Sequence, residues 1–205
     1  MNYFFPNIQY APSEKKSPGV ARRGARPFGG AGFKSMKFTM MLFLFSAAWS
    51  ASAQDYNVGV RSGVSLDDHP GYFRQTDVFV TRYLPWEWHS YLGMSFKPSV
   101  EASLGWLDGG SKDGVVGTAG PQIELRERNF PVTLEGGVSL SGLSRSNFGE
   151  KNVGGWFEFT DHIGLNWHVT KCFTLGVRFQ HMSNASIYKH NPGLNLEMLS
   201  ASYRF

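Results

Sequence analysis

The 205-residue chain carries 20 Lys and Arg against 16 Asp and Glu, a formal charge of +4, and one cysteine, Cys172. A single cysteine excludes an internal disulfide framework, and the length makes one domain the default, since single domains run to about 100–200 residues. The basic excess lies at the start: seven basic residues and one acid, Glu14, precede Gln54, so residues 54–205 hold 13 basic and 15 acidic side chains, net −2. That balance removes the electrostatic support for a nucleic-acid partner.

Residues 1–35 are Gly- and Pro-rich and basic, and read as a disordered extension or a misassigned start ahead of Met36. In 36–53, Lys37 precedes the apolar run Phe38–Trp49, and Ala51-Ser52-Ala53 follows just before Gln54. A positive flank, a short apolar core and a small-x-small cleavage site specify a secretory signal peptide. The twin arginines Arg22-Arg23 stand too far upstream of the apolar core to be a twin-arginine signal.

From Gln54 onward the chain breaks into alternating segments, which predict strands near 56–65, 73–84, 94–107, 113–125, 131–143, 153–167, 173–184 and 194–205. Turn residues separate them, among them Asp67-Asp68-His69-Pro70-Gly71, Asp108-Gly109-Gly110, Arg128-Asn129, Ser146-Asn147 with Gly149, and Asn191-Pro192-Gly193. Segments of about ten residues suit tilted membrane strands better than soluble ones, whose mode is about 5–6. Past residue 53 no uninterrupted apolar run approaches the ~18–20 residues of a membrane-spanning helix. Trp86 and Trp88, after Pro85, read as part of an interfacial aromatic belt.

The seventh segment puts Phe173, Leu175, Val177 and Phe179 on one face and Thr174, Gly176, Arg178 and Gln180 on the other. A soluble sandwich would show that alternation too. The last segment decides between them: Leu199, Ala201, Tyr203 and Phe205 alternate with Ser200, Ser202 and Arg204, and a terminal Phe two residues after another aromatic resembles the C-terminal signal of bacterial outer-membrane barrels. It supplies the interfacial aromatics that such barrels carry. The expected fold of 54–205 is therefore all-β, an eight-stranded antiparallel transmembrane barrel in the outer membrane of a Gram-negative bacterium. Eight strands leave an interior just wide enough for side chains, so function belongs on the loops, the rim or the outer wall.

Continuing the lipid-facing parity of segment seven by twos leads to His181 and Ser183; reading segment eight backward leads to Glu197 and Asn195. At ~3.3 Å per residue and a tilt near 45°, eight to ten residues climb roughly 19–23 Å, close to the outer edge of an apolar band ~25 Å tall. Polar side chains facing lipid are costly and point to function, although a solvated rim would carry the same residues.

The stretch Arg178-Phe-Gln-His-Met-Ser-Asn-Ala-Ser-Ile-Tyr-Lys-His-Asn-Pro-Gly-Leu-Asn-Leu-Glu197, followed by the final strand, resembles the C-terminal signature of the lipid A deacylase (PagL) family: Phe-x-His-x-Ser-Asn-Ala-Gly, then Asn-Pro-Gly-x-Glu. The resemblance implies an outer-membrane serine esterase acting on lipid A of lipopolysaccharide, at the 3-O-linked acyl chain, with no cofactor. It makes Ser183 the nucleophile and His181 its general base, because a hydroxyl is a weak nucleophile until a base takes its proton. The family's Glu falls on Asn195; Glu197, two residues on with the same parity, is the alternative third member. The resemblance places Asn184 and Ser186 at the oxyanion hole, with Ser186 where the family has Gly, and leaves a homodimer open.

The six histidines, at 69, 89, 162, 168, 181 and 190, show no ligand spacing with the cysteine, so no metal site is expected. No phosphate-binding glycine loop occurs either. The rival expectation is a non-catalytic structural or adhesive barrel, favoured by the missing Glu.

Overall fold

The structure, a computed structural model, describes residues 56–65, 72–91, 93–149 and 151–205, all within one compact unit, Thr39–Phe205. The extension 1–35, the signal peptide 36–53 and the turn at 67–71 lie outside the described residues.

Eight long strands form: β1 (Tyr56–Val64), β2 (Arg74–Tyr83), β4 (Met94–Asp108), β5 (Asp113–Glu127), β6 (Val132–Leu143), β7 (Phe157–His168), β8 (Phe173–Ser183) and β9 (Leu194–Arg204), with a two-residue β3 (Trp88–His89) beside β4. The ladder runs β2-β1-β9-β8-β7-β6-β5-β4-β3, and a β2–β4 pairing closes it into a barrel. Every pairing is antiparallel, including that of β1 with β9 that joins the two ends of the chain. Closure leaves no long edge strand to be protected, which is the condition for spanning a bilayer with strands.

Alternation sorts the two faces as the period of two requires. On β8, Phe173, Leu175, Val177 and Phe179 are exposed to the outside while Arg178, Gln180 and Met182 are buried. The wall is apolar because its solvent is hydrocarbon; the interior takes the charges. Arg61 bridges Asp77 at 2.8 Å and Glu101 at 2.7 Å, and Arg178 bridges Glu101 at 2.8 Å and Glu135 at 2.7 Å. Asn166 donates to Glu135 at 2.7 Å, and the Tyr83 hydroxyl donates to Glu124 at 2.6 Å. Groups withdrawn from water survive only when paired in this way.

Toward one mouth the interior becomes apolar, with Phe73, Leu107, Val116, Leu143, Phe148, Val153, Met182, Leu194, Leu196 and Met198 packed together. Phe148 and Val153, from the connection after β6, dip into this mouth, the Phe148 ring standing edge-on to Phe73 at 5.7 Å. The expected strand over 153–167 therefore starts only at Phe157. Val153 is spent on the mouth's core, and Gly154 turns away at φ +105°, its N–H donating to Asn152 Oδ1 at 2.9 Å. The connections 144–156 and 184–193 share this end, which the rule of short periplasmic turns and longer outer loops assigns to the cell exterior. At the opposite end Trp86, Trp88, Phe130, Trp167 and Tyr203 are exposed, as an aromatic girdle would be.

Candidate active site

β8 and β9 bring the polar residues of the wall together at the outer mouth. Their register sets His181 directly across from Asn195, and His181 Nδ1 lies 2.7 Å from Asn195 Oδ1. With the amide oxygen accepting, Nδ1 carries the hydrogen and Nε2 keeps its lone pair free. Ser183 follows two residues later on the same face, half-buried like His181. No hydrogen bond joins Ser183 Oγ to His181 among the described residues; the one hydrogen-bond partner of the imidazole there is Asn195.

Glu197 occupies a different place. It stands opposite Phe179 on β8 and Val64 on β1, exposed on the wall one pleat nearer the bilayer centre. Of the two candidates to support His181, Asn195 is the one in contact. Below that level, Val64, Leu134, Ile163, Leu165, Val177, Phe179 and Leu199 line an outer-wall groove of about 710 Å³ that Glu197 borders.

The connection after Ser183 is held from inside. Asn184 is fully buried, and its Nδ2 donates to Val153 O at 3.2 Å and His190 O at 2.9 Å, occupying both amide hydrogens. Its backbone N–H donates to Asn191 Oδ1 at 3.1 Å. The side chain thus clamps the loop and has no hydrogen left for an oxyanion. Ala185 at φ 49° and Ser186 at φ 65° then take left-handed conformations, both exposed. A glycine would adopt that geometry without a Cβ penalty, so Ser186 carries strain where the family pattern has Gly. Gly193, also left-handed at φ 65°, packs against the imidazole; a Cβ there would sit 3.0 Å from His181 Cε1.

One residue of this surface escapes a reading confined to the last two strands. Asp161 on β7 lies across from His181 on the side opposite Asn195. Its outward neighbours by parity, Phe159, Ile163, Leu165 and Trp167, are all apolar and exposed. An acid interrupting that run is the signal the sequence offered.

A closed antiparallel barrel with a charged interior, an apolar wall and polar side chains gathered on that wall at its outer mouth has the build of an outer-membrane barrel. The comparisons with known proteins narrow this. The family model "Lipid A 3-O-deacylase (PagL)" matches residues 74–204, and the chain belongs to that family. It is 34% identical over 167 residues to the lipid A deacylase PagL of Bordetella bronchiseptica, covering 78% of this chain and 90% of the relative. A shorter match, 31% over 61 residues, links it to the lipid A deacylase PagL of Pseudomonas aeruginosa, covering 30% of this chain and 35% of that one. In fold it superposes on the crystal structure of the outer-membrane enzyme PagL with a TM-score of 0.61 at 17% identity, over 73% of this chain and 99% of the other. The protein is accordingly an outer-membrane barrel of a Gram-negative bacterium.

Proposed function

We propose that this barrel is an esterase that removes an ester-linked acyl chain from lipid A, the 3-O chain by resemblance to its family. The observation that carries the reading is the outward His181–Asn195 pair at 2.7 Å with Ser183 beside it on the same lipid-facing surface. Ser183 Oγ attacks the ester carbonyl carbon while His181 Nε2 takes its proton. Free backbone N–H groups after Asn184, those of Ala185 and Ser186, are the donors assigned to the oxyanion. The bond between the carbonyl carbon and the ester oxygen then breaks, that oxygen leaves on the sugar and takes the proton from Nε2, and the acyl chain stays on Ser183. Water attacks the acyl-enzyme, gives its proton to Nε2, and releases the fatty acid with Ser183 restored.

Asn195 fixes the tautomer but brings no charge. The apolar groove below the site gives the severed chain a surface continuous with the bilayer, so the substrate never leaves the membrane. Mass spectrometry of lipid A from cells expressing the wild type and Ser183→Ala tests the reading. The wild type should lower the mass by one acyl chain, and the variant should not. A second reading, a non-catalytic surface barrel, draws on Asn195 and on the strained Ser186; it requires unchanged lipid A from both.

A further inference from the structure

We infer that Asp161 supplies the negative charge that stabilises His181 as it takes up a proton, so that Asn195 and Asp161 divide between them the two tasks of one triad carboxylate. The inference rests on the hydrolase reading above and deepens it. Its basis is the register. Asp161, His181 and Asn195 form one row across β7, β8 and β9, and residues directly opposite in antiparallel strands hold their Cβ atoms about 4.5–5.5 Å apart. All three occupy the outward face, and Asp161 is exposed and has no hydrogen-bond or ion-pair partner among the described residues. Inside the barrel, Asp77, Glu101 and Glu135 each meet an arginine. An acid on a lipid-facing wall with no such partner is costly and marks function.

The charged groups around His181 can be enumerated by element. β7 brings Asp161; β9 brings neutral Asn195 and, one pleat away, Glu197; the connection 184–193 sets Gly193 against the ring and carries exposed Lys189 and His190. Asp161 is the acid in direct cross-strand opposition. Attraction between unit charges ~6 Å apart at an effective dielectric constant of ~20 corresponds to roughly a hundredfold in an equilibrium constant, which exposure reduces to about tenfold. Asp161 touches no reacting atom in this scheme; it is a positioning residue that acts through the imidazole.

The test uses the full barrel refolded in detergent, with Asp161→Asn, Asp161→Glu, Asn195→Glu and the double variant Asp161→Asn/Asn195→Glu. In lipid A deacylation, Asp161→Asn should lower kcat about tenfold with KM unchanged and move the acidic limb of the kcat/KM profile to lower pH. Asp161→Glu should restore both. In the Asn195→Glu background, where a carboxylate already touches the imidazole, the same change should cost less than about twofold. Unchanged kcat and an unchanged acidic limb in Asp161→Asn would overturn the inference while Ser183→Ala still abolished activity. A wild-type barrel as inert as Ser183→Ala would instead sink the hydrolase reading, and the inference with it.

Discussion

Arg178 and His181 stand three residues apart on β8 and live in different solvents. Arg178 points inward and holds Glu101 and Glu135 at 2.8 and 2.7 Å, two acids drawn from distant strands. His181 points outward and meets a neutral amide on one side and an unpaired acid's strand on the other. Inside, each acid of this network meets an arginine, because an unpaired ion in a dry interior costs several kcal/mol. Outside, at the edge of the hydrocarbon, polar groups are left open to whatever approaches from the bilayer. Charge satisfied by the protein itself reads as structure; charge left for a ligand reads as chemistry.

Variants on the two faces should therefore fail in different ways. The largest effect belongs outside: Ser183→Ala should reduce deacylation by about 10³-fold or more while the barrel keeps its heat-modifiable migration and its strand signal by circular dichroism. Arg178→Leu should do the reverse. It leaves Glu135 without its cation and Glu101 with one instead of two, so urea unfolding should show a loss of about 3–5 kcal/mol. Asn195→Glu sharpens the contrast, since it adds a charge to a position that now only orients. Its kcat should rise about tenfold, within the bound of about 10⁴ that the reverse exchange costs in a protease triad. The smallest change is Ser186→Gly, which should raise stability by roughly 0.5–1 kcal/mol by relieving a left-handed backbone, read as a higher thermal midpoint in detergent.

Most of the wall was legible in the sequence because one rule, a period of two, governs it. The segments expected at 94–107, 131–143 and 173–184 differ from β4, β6 and β8 by one residue at an end. The outward parity of His181, Ser183, Asn195 and Glu197 followed from the same rule. What stayed hidden depends on which strands meet. Arg61 and Glu101 are 40 residues apart, and nothing local pairs them. Register alone made Asn195 rather than Glu197 the partner of His181, and register alone brought Asp161 to the other side. The resemblance assigns Asn184 to the oxyanion hole, and its motif position says nothing of Val153 and His190, whose carbonyls take the amide hydrogens of this fully buried side chain. The expected strand over 153–167 includes residues 153–156, and the pull of the apolar mouth that diverts Val153 is a tertiary effect no local pattern shows.

A nucleophilic hydroxyl displayed to the bilayer and activated by its neighbour is the centre of the proposed chemistry. Covalent labelling measures that directly: the refolded barrel is treated with a long-chain alkyl fluorophosphonate, and the modified peptide is mapped by mass spectrometry. The adduct should form on Ser183, vanish in Ser183→Ala and form far more slowly in His181→Ala. Labelling that spares Ser183, or that proceeds as fast without His181, would contradict it.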